Sequence, residues 1–330
     1  MTAAPGIVAA TESAGSQAHP VVRLSQVTRL FGKVAALSDL TLEAAQGRIT
    51  VLLGANGAGK TTVIRMITGA MCPDRGEVRT FGLDPERSGE SVRSRCGVVS
   101  AKPALYDRLS GRDNLVYAAE LYGLGRHASQ RIEAAADQFG IRYALDQQVG
   151  GYSTGMKTRL ALARVVLHRP DLFLLDEPTS GLDPESSVAV LSMIREMADG
   201  GRTVIMCTHL LAEAEGLADH VVILDAGSAL VAGSPRELTR HFWPWHRVRI
   251  DAERPEQLDC LVQMQGVASY RRDDLAEFQV DSLGRIPELV HALVTAGVRI
   301  TRVDPQEPTL EELYFAVRAE RTAQPLDSRR

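Results

Sequence analysis

Gly54-Ala55-Asn56-Gly57-Ala58-Gly59-Lys60-Thr61-Thr62 lies between an apolar run at residues 48–53 and a helix-like run from Thr61 to Gly69, and it matches the pattern G-x-x-x-x-G-K-[ST] at every fixed position. The glycines of such a loop expose backbone N–H groups that surround phosphate, while Lys60 adds a compact positive charge and the Thr61 hydroxyl faces Mg²⁺. The N-terminal end of the following helix attracts the same anion. The stretch therefore predicts a nucleoside triphosphate site, with contacts from Gly54, Asn56, Gly57, Ala58, Gly59, Lys60, Thr61 and Thr62.

The composition favours a cytoplasmic protein of two domains. The chain has 330 residues, of which 45% are hydrophobic, and its net charge of −4 gives no basic signature for nucleic acid. No stretch reaches the roughly 20 apolar residues that cross a bilayer, and the N-terminus lacks a secretory signal. Residues 1–19 and 321–330 are expected to be a disordered leader and a disordered tail. The cysteines are too far apart for a zinc site and are expected to be reduced core residues: Cys72, Cys96, Cys207 and Cys260.

A second motif lies more than 100 residues after the first. The run Asp171-Leu-Phe-Leu-Leu-Asp176-Glu177-Pro178 is an apolar strand that ends in two acids. The first acid, Asp176, is placed to approach Mg²⁺, and the second, Glu177, is placed to act on water. An apolar run ending in acids is common by itself, but in combination with the phosphate-binding loop it indicates a complete nucleotide site.

With these residues, the chain resembles the ATP-binding subunit of an ABC transporter from about Val21 to Leu238. Further motifs appear in the order of that family. They are Tyr152-Ser153-Thr154-Gly155-Met156, similar to the signature LSGGQ, then the interface loop Ser180-Gly181-Leu182-Asp183, and then Thr208-His209 after a strand. Phe31 occupies the position of the aromatic ring that stacks on adenine, although it could equally be a core residue. Each motif is weak alone, since Ser153, for example, could be an ordinary helix cap.

The resemblance implies roles for these residues. Glu177 is expected to orient or deprotonate the attacking water, His209 to contact the γ-phosphate, and Lys60 and Mg²⁺ to neutralise charge, with Thr61 and Asp176 as metal ligands. Two copies are expected to enclose two ATP molecules in an ATP-dependent dimer. Each ATP then lies between the phosphate loop of one copy and Ser153, Thr154 and Gly155 of the other, and Asp183, in the loop that lines the interface, is also expected to belong to the nucleotide site.

One position departs from the family pattern. Most relatives have a Gln after the strand Cys96-Gly-Val-Val, where it contributes to Mg²⁺ binding and touches the membrane partner. Ala101 stands there instead, and no Gln occurs between Gln46 and Gln130. The metal-binding role of this loop is therefore in doubt.

The expected fold is an α/β P-loop ATPase core over residues 20–240, with a helical subdomain at about 103–168. After the junction at Trp243-Pro244-Trp245, residues 246–320 show the pattern β-α-β-β-α-β, with strands at 247–251, 268–271, 277–281 and 298–303 and helices at 255–264 and 285–296. This predicts a small ferredoxin-like α+β domain. We expect it to be regulatory or dimer-stabilising, and a passive appendage is the alternative.

The leading functional prediction is an ATPase subunit bound to the inner face of the membrane through a separate permease, which exports a hydrophobic drug, a lipid-like molecule or a polymer. Two alternatives are a soluble ATPase that remodels DNA or ribosomes, and an ATP-binding switch with weak hydrolysis. The first lacks support because only about 50 residues separate Ala101 from the signature, too few for a long coiled coil, and because one ATPase unit is present. Ala101 keeps the second open.

Overall fold

The computed structural model describes residues 20–254, 256–259, 267–272 and 276–323. The chain divides between Pro235 and Arg236 into two compact units. The predicted leader and most of the predicted tail lie outside the described residues, while the last helix extends to Ala323.

The first unit contains two sheets. The larger has six strands in the order β5-β6-β7-β3-β8-β9 and is parallel except for its last pair. The smaller is antiparallel, in the order β2-β1-β4. The strand bounds are β1 Val22–Phe31, β2 Val34–Ala44, β3 Ile49–Leu53, β4 Arg75–Thr80, β5 Cys96–Val99, β6 Leu172–Asp176, β7 Thr203–Thr208, β8 His220–Asp225 and β9 Ser228–Gly233.

The seven helices described in this unit are α1 Lys60–Ile67, α2 Gly89–Arg93, α3 Gly111–Leu121, α4 Ala128–Gln138, α5 Thr154–Val166, α6 Pro184–Asp199 and α7 Leu211–Leu217. Helix α1 lies between the two sheets, where Val63, Ile64 and Ile67 join the buried residues of β1, β2, β3 and β8 in one core. All five side chains of β3 and of β6 are buried, as their continuous apolar sequences predict. The core therefore fixes both strands that carry the nucleotide motifs.

The predicted helical subdomain is formed by α3, α4 and α5, which lie between β5 and β6 in the chain and contact one another. Helix α3 begins with a capping box in which Ser110 and Asp113 exchange hydrogen bonds. Helix α5 is capped by Ser153, whose hydroxyl accepts a hydrogen bond from the Met156 backbone N–H at 3.2 Å. The signature residues thus form the start of a helix.

The second unit has a four-stranded antiparallel sheet in the order β11-β12-β10-β13. Helix α8, Pro235–Phe242, begins at the last residue of the first unit and continues into the second. The other elements of the second unit are β10 His246–Ala252, β11 Val267–Arg272, β12 Ala276–Val280, α9 Ile286–Thr295, β13 Ile300–Gln306 and α10 Leu310–Ala323. Numbered within the unit, the strand order is 2-3-1-4, which is that of a ferredoxin-like sheet. Most of the predicted helix at 255–264 lies outside the described residues.

Helix α9 packs on one face of this sheet, where Leu289 and Leu293 meet Val248, Ile250 and Phe278 in a separate core. Arg247, on the other face of β10, pairs with Glu312 of α10 through two guanidinium nitrogens, one of them 2.8 Å from the carboxylate. The hydrogen bond from Arg247 lowers the pKa of Glu312.

Candidate active site

The nucleotide motifs converge at the carboxyl edge of the large sheet. In the strand register, Leu53 at the end of β3 is opposite Thr208 at the end of β7, and Asp176 at the end of β6 is opposite Cys207. Because neighbouring parallel strands end at the same edge, the phosphate loop, the acid pair and His209 emerge side by side.

The phosphate loop is shaped by close backbone contacts at its two outer glycines. A Cβ at Gly54 would collide with the Leu224 carbonyl oxygen. Gly59 caps α1 with φ 104°, and a Cβ there would lie 2.6 Å from the Ala36 carbonyl oxygen. These two positions require glycine for space, and Gly59 also for its left-handed backbone. The loop is therefore held open by the packing behind it, with backbone donors available for phosphate.

Lys60 points back across the loop. Its Nζ donates hydrogen bonds to the carbonyl oxygens of Gly54 at 2.6 Å and Ala55 at 3.3 Å. It also lies 3.1 Å from Glu177 Oε1, an ion pair that does not have hydrogen-bond geometry. Only 6% of the Lys60 side chain is exposed, so its charge acts in a largely desolvated site.

Thr61 and Asp176, the two residues predicted to bind Mg²⁺, lie in contact with each other. The Thr61 hydroxyl donates to Asp176 Oδ2 at 2.7 Å, and Asp176 is buried. A hydroxyl and a carboxylate are hard oxygen donors of the kind Mg²⁺ prefers, and one or two such ligands suffice when phosphate oxygens complete the shell. The two side chains therefore fit Mg²⁺.

Glu177 has an unusual backbone conformation. It has φ 52°, a left-handed conformation that is uncommon for residues other than glycine. Two backbone hydrogen bonds hold it there, one from its N–H to the Cys207 carbonyl at 2.9 Å and one from the Ser180 N–H to its own carbonyl at 3.1 Å. Such strain is characteristic of functional positions. It places the carboxylate between Lys60 and the imidazole of His209.

His209 lies close to Glu177, with Nδ1 at 2.7 Å from Oε2. The imidazole is 41% exposed, whereas the Glu177 carboxylate is 13% exposed. Lys60, Glu177 and His209 thus form a continuous chain of charged and polar groups beside the phosphate loop.

The signature residues lie apart from this cluster. Ser153 and Thr154 are exposed at the start of α5, and a Cβ on Gly155 would lie 3.2 Å from Ser186 Oγ at the start of α6. Within the described residues, no hydrogen bond or ion pair joins the signature to the phosphate loop of the same chain. Gly155 therefore lies beside the start of α6, and Ser153 and Thr154 are open to solvent, whereas Tyr152 is buried.

Asp183 caps α6 by accepting hydrogen bonds from the Ser186 backbone N–H at 2.9 Å and from its hydroxyl at 2.7 Å. The backbone hydrogen bond from Ser186 is the largest of the effects that lower the pKa of Asp183. Asp183 thus stays ionised at the start of α6.

Phe31 ends β1 and is 47% exposed, with the Arg29 guanidinium carbon 5.3 Å from the ring centroid. The ring is available for stacking, and its contact with adenine stays a prediction.

Ala101 follows β5 in an exposed loop, where Ser100 Oγ donates to the Lys102 carbonyl oxygen at 2.8 Å. Its methyl group offers no ligand to a metal.

Two residues of the site were missed from the sequence. Gly227, with φ 81°, begins the return from β8 to β9, and its N–H donates to the Ala58 carbonyl at 3.2 Å, behind the phosphate loop. Glu213, in α7, accepts a hydrogen bond from the Thr208 hydroxyl at 2.9 Å. The Ala226-Gly227 turn signal could have indicated the first as a hairpin, but not its contact with the loop.

The fold and the site define a P-loop ATPase with a helical subdomain inserted between β5 and β6. Residues 37–180 match the family model described as ABC transporter. Two curated relatives are similar. The ABC transporter ATP-binding protein NatA of Bacillus subtilis (strain 168) is 37% identical, over 62% of this chain and 84% of its own length. The daunorubicin resistance ATP-binding protein DrrA3 of Streptomyces coeruleorubidus is 32% identical, over 90% of this chain and 96% of its own length.

Among solved structures, an ATP-binding subunit of an ABC transporter is 30% identical and superposes with a TM-score of 0.62, covering 67% of this chain and 93% of that one. The chain therefore belongs to the family of ABC transporter ATP-binding proteins, and it binds and hydrolyses ATP. This confirms the predicted family, core fold and activity. Among the described helices, none combines the length and apolar character that a bilayer crossing requires.

Proposed function

We propose that the chain hydrolyses ATP at the interface of a dimer of identical copies and so powers export through a separate integral membrane permease. The observation that carries this proposal is the chain of groups Lys60, Glu177 and His209, with 3.1 Å and 2.7 Å between successive members, beside a phosphate-binding loop. In this arrangement the Lys60 ammonium group would bind phosphate and the Glu177 carboxylate would bind the attacking water. The His209 imidazole would be within reach of the phosphate and the water.

The proposed division of labour follows from burial and hydrogen bonding. Lys60 and the loop N–H groups hold the phosphates. Glu177 is largely buried and fixed by its backbone, so it orients the attacking water with little reorganisation. His209 is partly exposed, and contact with both Glu177 and the γ-phosphate would hold the geometry of transfer. Thr61 and Asp176 would hold Mg²⁺, which neutralises charge on the phosphates when bound.

The proposed dimer explains the position of the signature. Ser153 and Thr154 are exposed, and no contact in the described part of the chain ties them to the loop of the same copy. A helix N-terminus with a serine hydroxyl is suited to a phosphate delivered from outside. In the proposed dimer, that phosphate is the γ-phosphate of the ATP held by Lys60 of the other copy. Asp183 lies at the same interface.

The proposal of export rests on the relative named for daunorubicin resistance, whose similarity extends over most of both chains. An apolar drug or lipid-like substrate is the corresponding substrate class for this chain. The permease would hold the protein at the inner face of the membrane. The C-terminal unit, with its Arg247–Glu312 ion pair, is proposed to stabilise the dimer or regulate it.

Inside-out membrane vesicles test the export proposal. Purification of the tagged chain from membranes with Mg-ATP is expected to recover an integral membrane protein, and vesicles containing both are expected to accumulate daunorubicin only with ATP. The Glu177→Gln variant serves as the matched control, since it keeps the assembly and removes turnover. Accumulation with the ATPase chain alone, or equal accumulation with the Glu177→Gln variant, would contradict the proposal.

A further inference from the structure

A buried hydrogen-bond cluster lies directly behind His209. Thr208, the last residue of β7, is fully buried, and Glu213 in the first turn of α7 is 8% exposed. The Thr208 hydroxyl donates to Glu213 Oε2 at 2.9 Å and accepts a hydrogen bond from the Leu210 N–H at 3.1 Å. Thr208 and Leu210 are the two chain neighbours of His209, so the cluster encloses the segment that carries the imidazole.

Thr208 also contacts the phosphate loop. The Thr208 carbonyl oxygen accepts a hydrogen bond from the Gly54 N–H at 3.3 Å. The side chain of Thr208 therefore fixes the His209 segment, while its backbone is bonded to the first glycine of the loop. A substitution of the side chain leaves the carbonyl in place, so the two connections can be tested separately.

Burial of the Glu213 carboxylate costs free energy, so a role in stabilising the fold does not by itself explain a glutamate at this position. A buried carboxylate is normally paired with a cation or several donors. In the part of the chain that the structure describes, no ion pair involves Glu213, and the Thr208 hydroxyl is its hydrogen-bond donor. Its place in the first turn of α7 is favourable to the helix but does not require burial. The Glu213 carboxylate does, however, orient the Thr208 hydroxyl by accepting its proton. The lone pairs of Thr208 Oγ1 then face the Leu210 N–H.

His209 needs such support because its own packing does not hold it. The imidazole is 41% exposed, yet its Nδ1 meets Glu177 Oε2 at 2.7 Å. We propose that Glu213 is a positioning residue for ATP hydrolysis, which acts through the Thr208 hydroxyl to hold His209 in reach of Glu177. Glu213 touches neither nucleotide nor water in this role.

Steady-state ATP hydrolysis by the purified full chain tests the proposal. Glu213→Ala is expected to lower kcat at least tenfold, with KM and ATP affinity within twofold, because the Gly54 contact is made by a backbone carbonyl. Thr208→Val is expected to reproduce this loss. Thr208→Ser and Glu213→Gln keep a hydroxyl and an acceptor oxygen, respectively, and should retain kcat within threefold. Glu196→Ala, which removes an exposed acid from α6, is the control for the loss of an acid and should leave kcat unchanged.

A double variant separates positioning from general structural support. With His209→Ala as background, Glu213→Ala is expected to cause no further loss of kcat, since the group that it positions is already absent. Additive losses would overturn the proposal. So would a Glu213→Ala protein with a lowered Tm and normal kcat, or a Glu213→Gln protein as slow as Glu213→Ala. If Glu213→Ala fails to fold, the pair Thr208→Val and Thr208→Ser still decides, because equal kcat values in those two proteins would contradict a role for the hydroxyl.

Discussion

Replacement of Lys60 by alanine is expected to weaken Mg-ATP binding by about 100-fold, or ~2.7 kcal/mol. Two unit charges about 3 Å apart attract by ~5 kcal/mol at an effective dielectric constant near 20. Nζ already lies 3.1 Å from Glu177 Oε1, so part of the attraction to phosphate replaces an existing ion pair. A triphosphate carries several negative charges, so its attraction for Lys60 exceeds that of the single Glu177 carboxylate which it replaces. We therefore expect about half of the pairwise attraction to remain as net affinity.

Isothermal titration calorimetry with Mg-ATP measures this loss directly. Lys102→Ala removes an exposed lysine and is the control for a simple change of charge. Thermal unfolding of the Lys60→Ala protein should be followed as well, because Glu177 loses one of its two side-chain partners. If the folded Lys60→Ala protein binds Mg-ATP within threefold of the original, then Lys60 does not act on the phosphates and the electrostatic reasoning is refuted.

Three further predictions concern other parts of the chain. Ala101→Gln is expected to change ATP turnover more than ATP affinity, because water can fill the Mg²⁺ position that the methyl group leaves; a tenfold gain in affinity with unchanged turnover would contradict this. Gly54→Ala should reduce ATP affinity at least tenfold in calorimetry, since a Cβ collides with the Leu224 carbonyl, and normal affinity would refute the packing argument. In the C-terminal unit, the pKa of Glu312 lies below its ordinary value of 4.5 because of the hydrogen bond from Arg247, so the ion pair stabilises the fold above about pH 4.5 and less as the pH falls through the folded pKa. The difference in Tm between the original chain and Arg247→Ala should therefore shrink below pH 4.5, and a difference that grows on acidification would contradict that sign.

The central residues of the site could be predicted because their chemistry is local in sequence. The phosphate loop and the acids Asp176 and Glu177 each follow a buried strand, and the parallel sheet then brings those strand ends together. In the same way, the alternating pattern of the C-terminal unit gave strands close to the observed β10 and β12, with bounds shifted by one residue.

The residues missed from the sequence depend on packing between distant segments. Gly227 contacts Ala58 only because the hairpin of β8 and β9 folds behind the phosphate loop. In the sequence, Glu213 is one of two acids in a short helix, and its burial follows from how α7 lies against β3 and β7. Helix α9 ends at Thr295, because Gly297 adopts φ 77° and the chain turns there so that Val298 packs into the core.

The dimer formed by the Glu177→Gln variant tests the account most directly. The amide keeps the size of the side chain and removes the carboxylate that acts on water, so ATP should bind without being hydrolysed. Light scattering after size-exclusion chromatography is expected to show twice the monomer mass with Mg-ATP and the monomer mass without nucleotide. Ser153→Glu, which places a negative charge against the partner's γ-phosphate, should abolish that dimer. A Glu177→Gln protein that stays monomeric with saturating Mg-ATP, or that hydrolyses ATP at the original rate, would contradict hydrolysis by Glu177 between two copies of the chain.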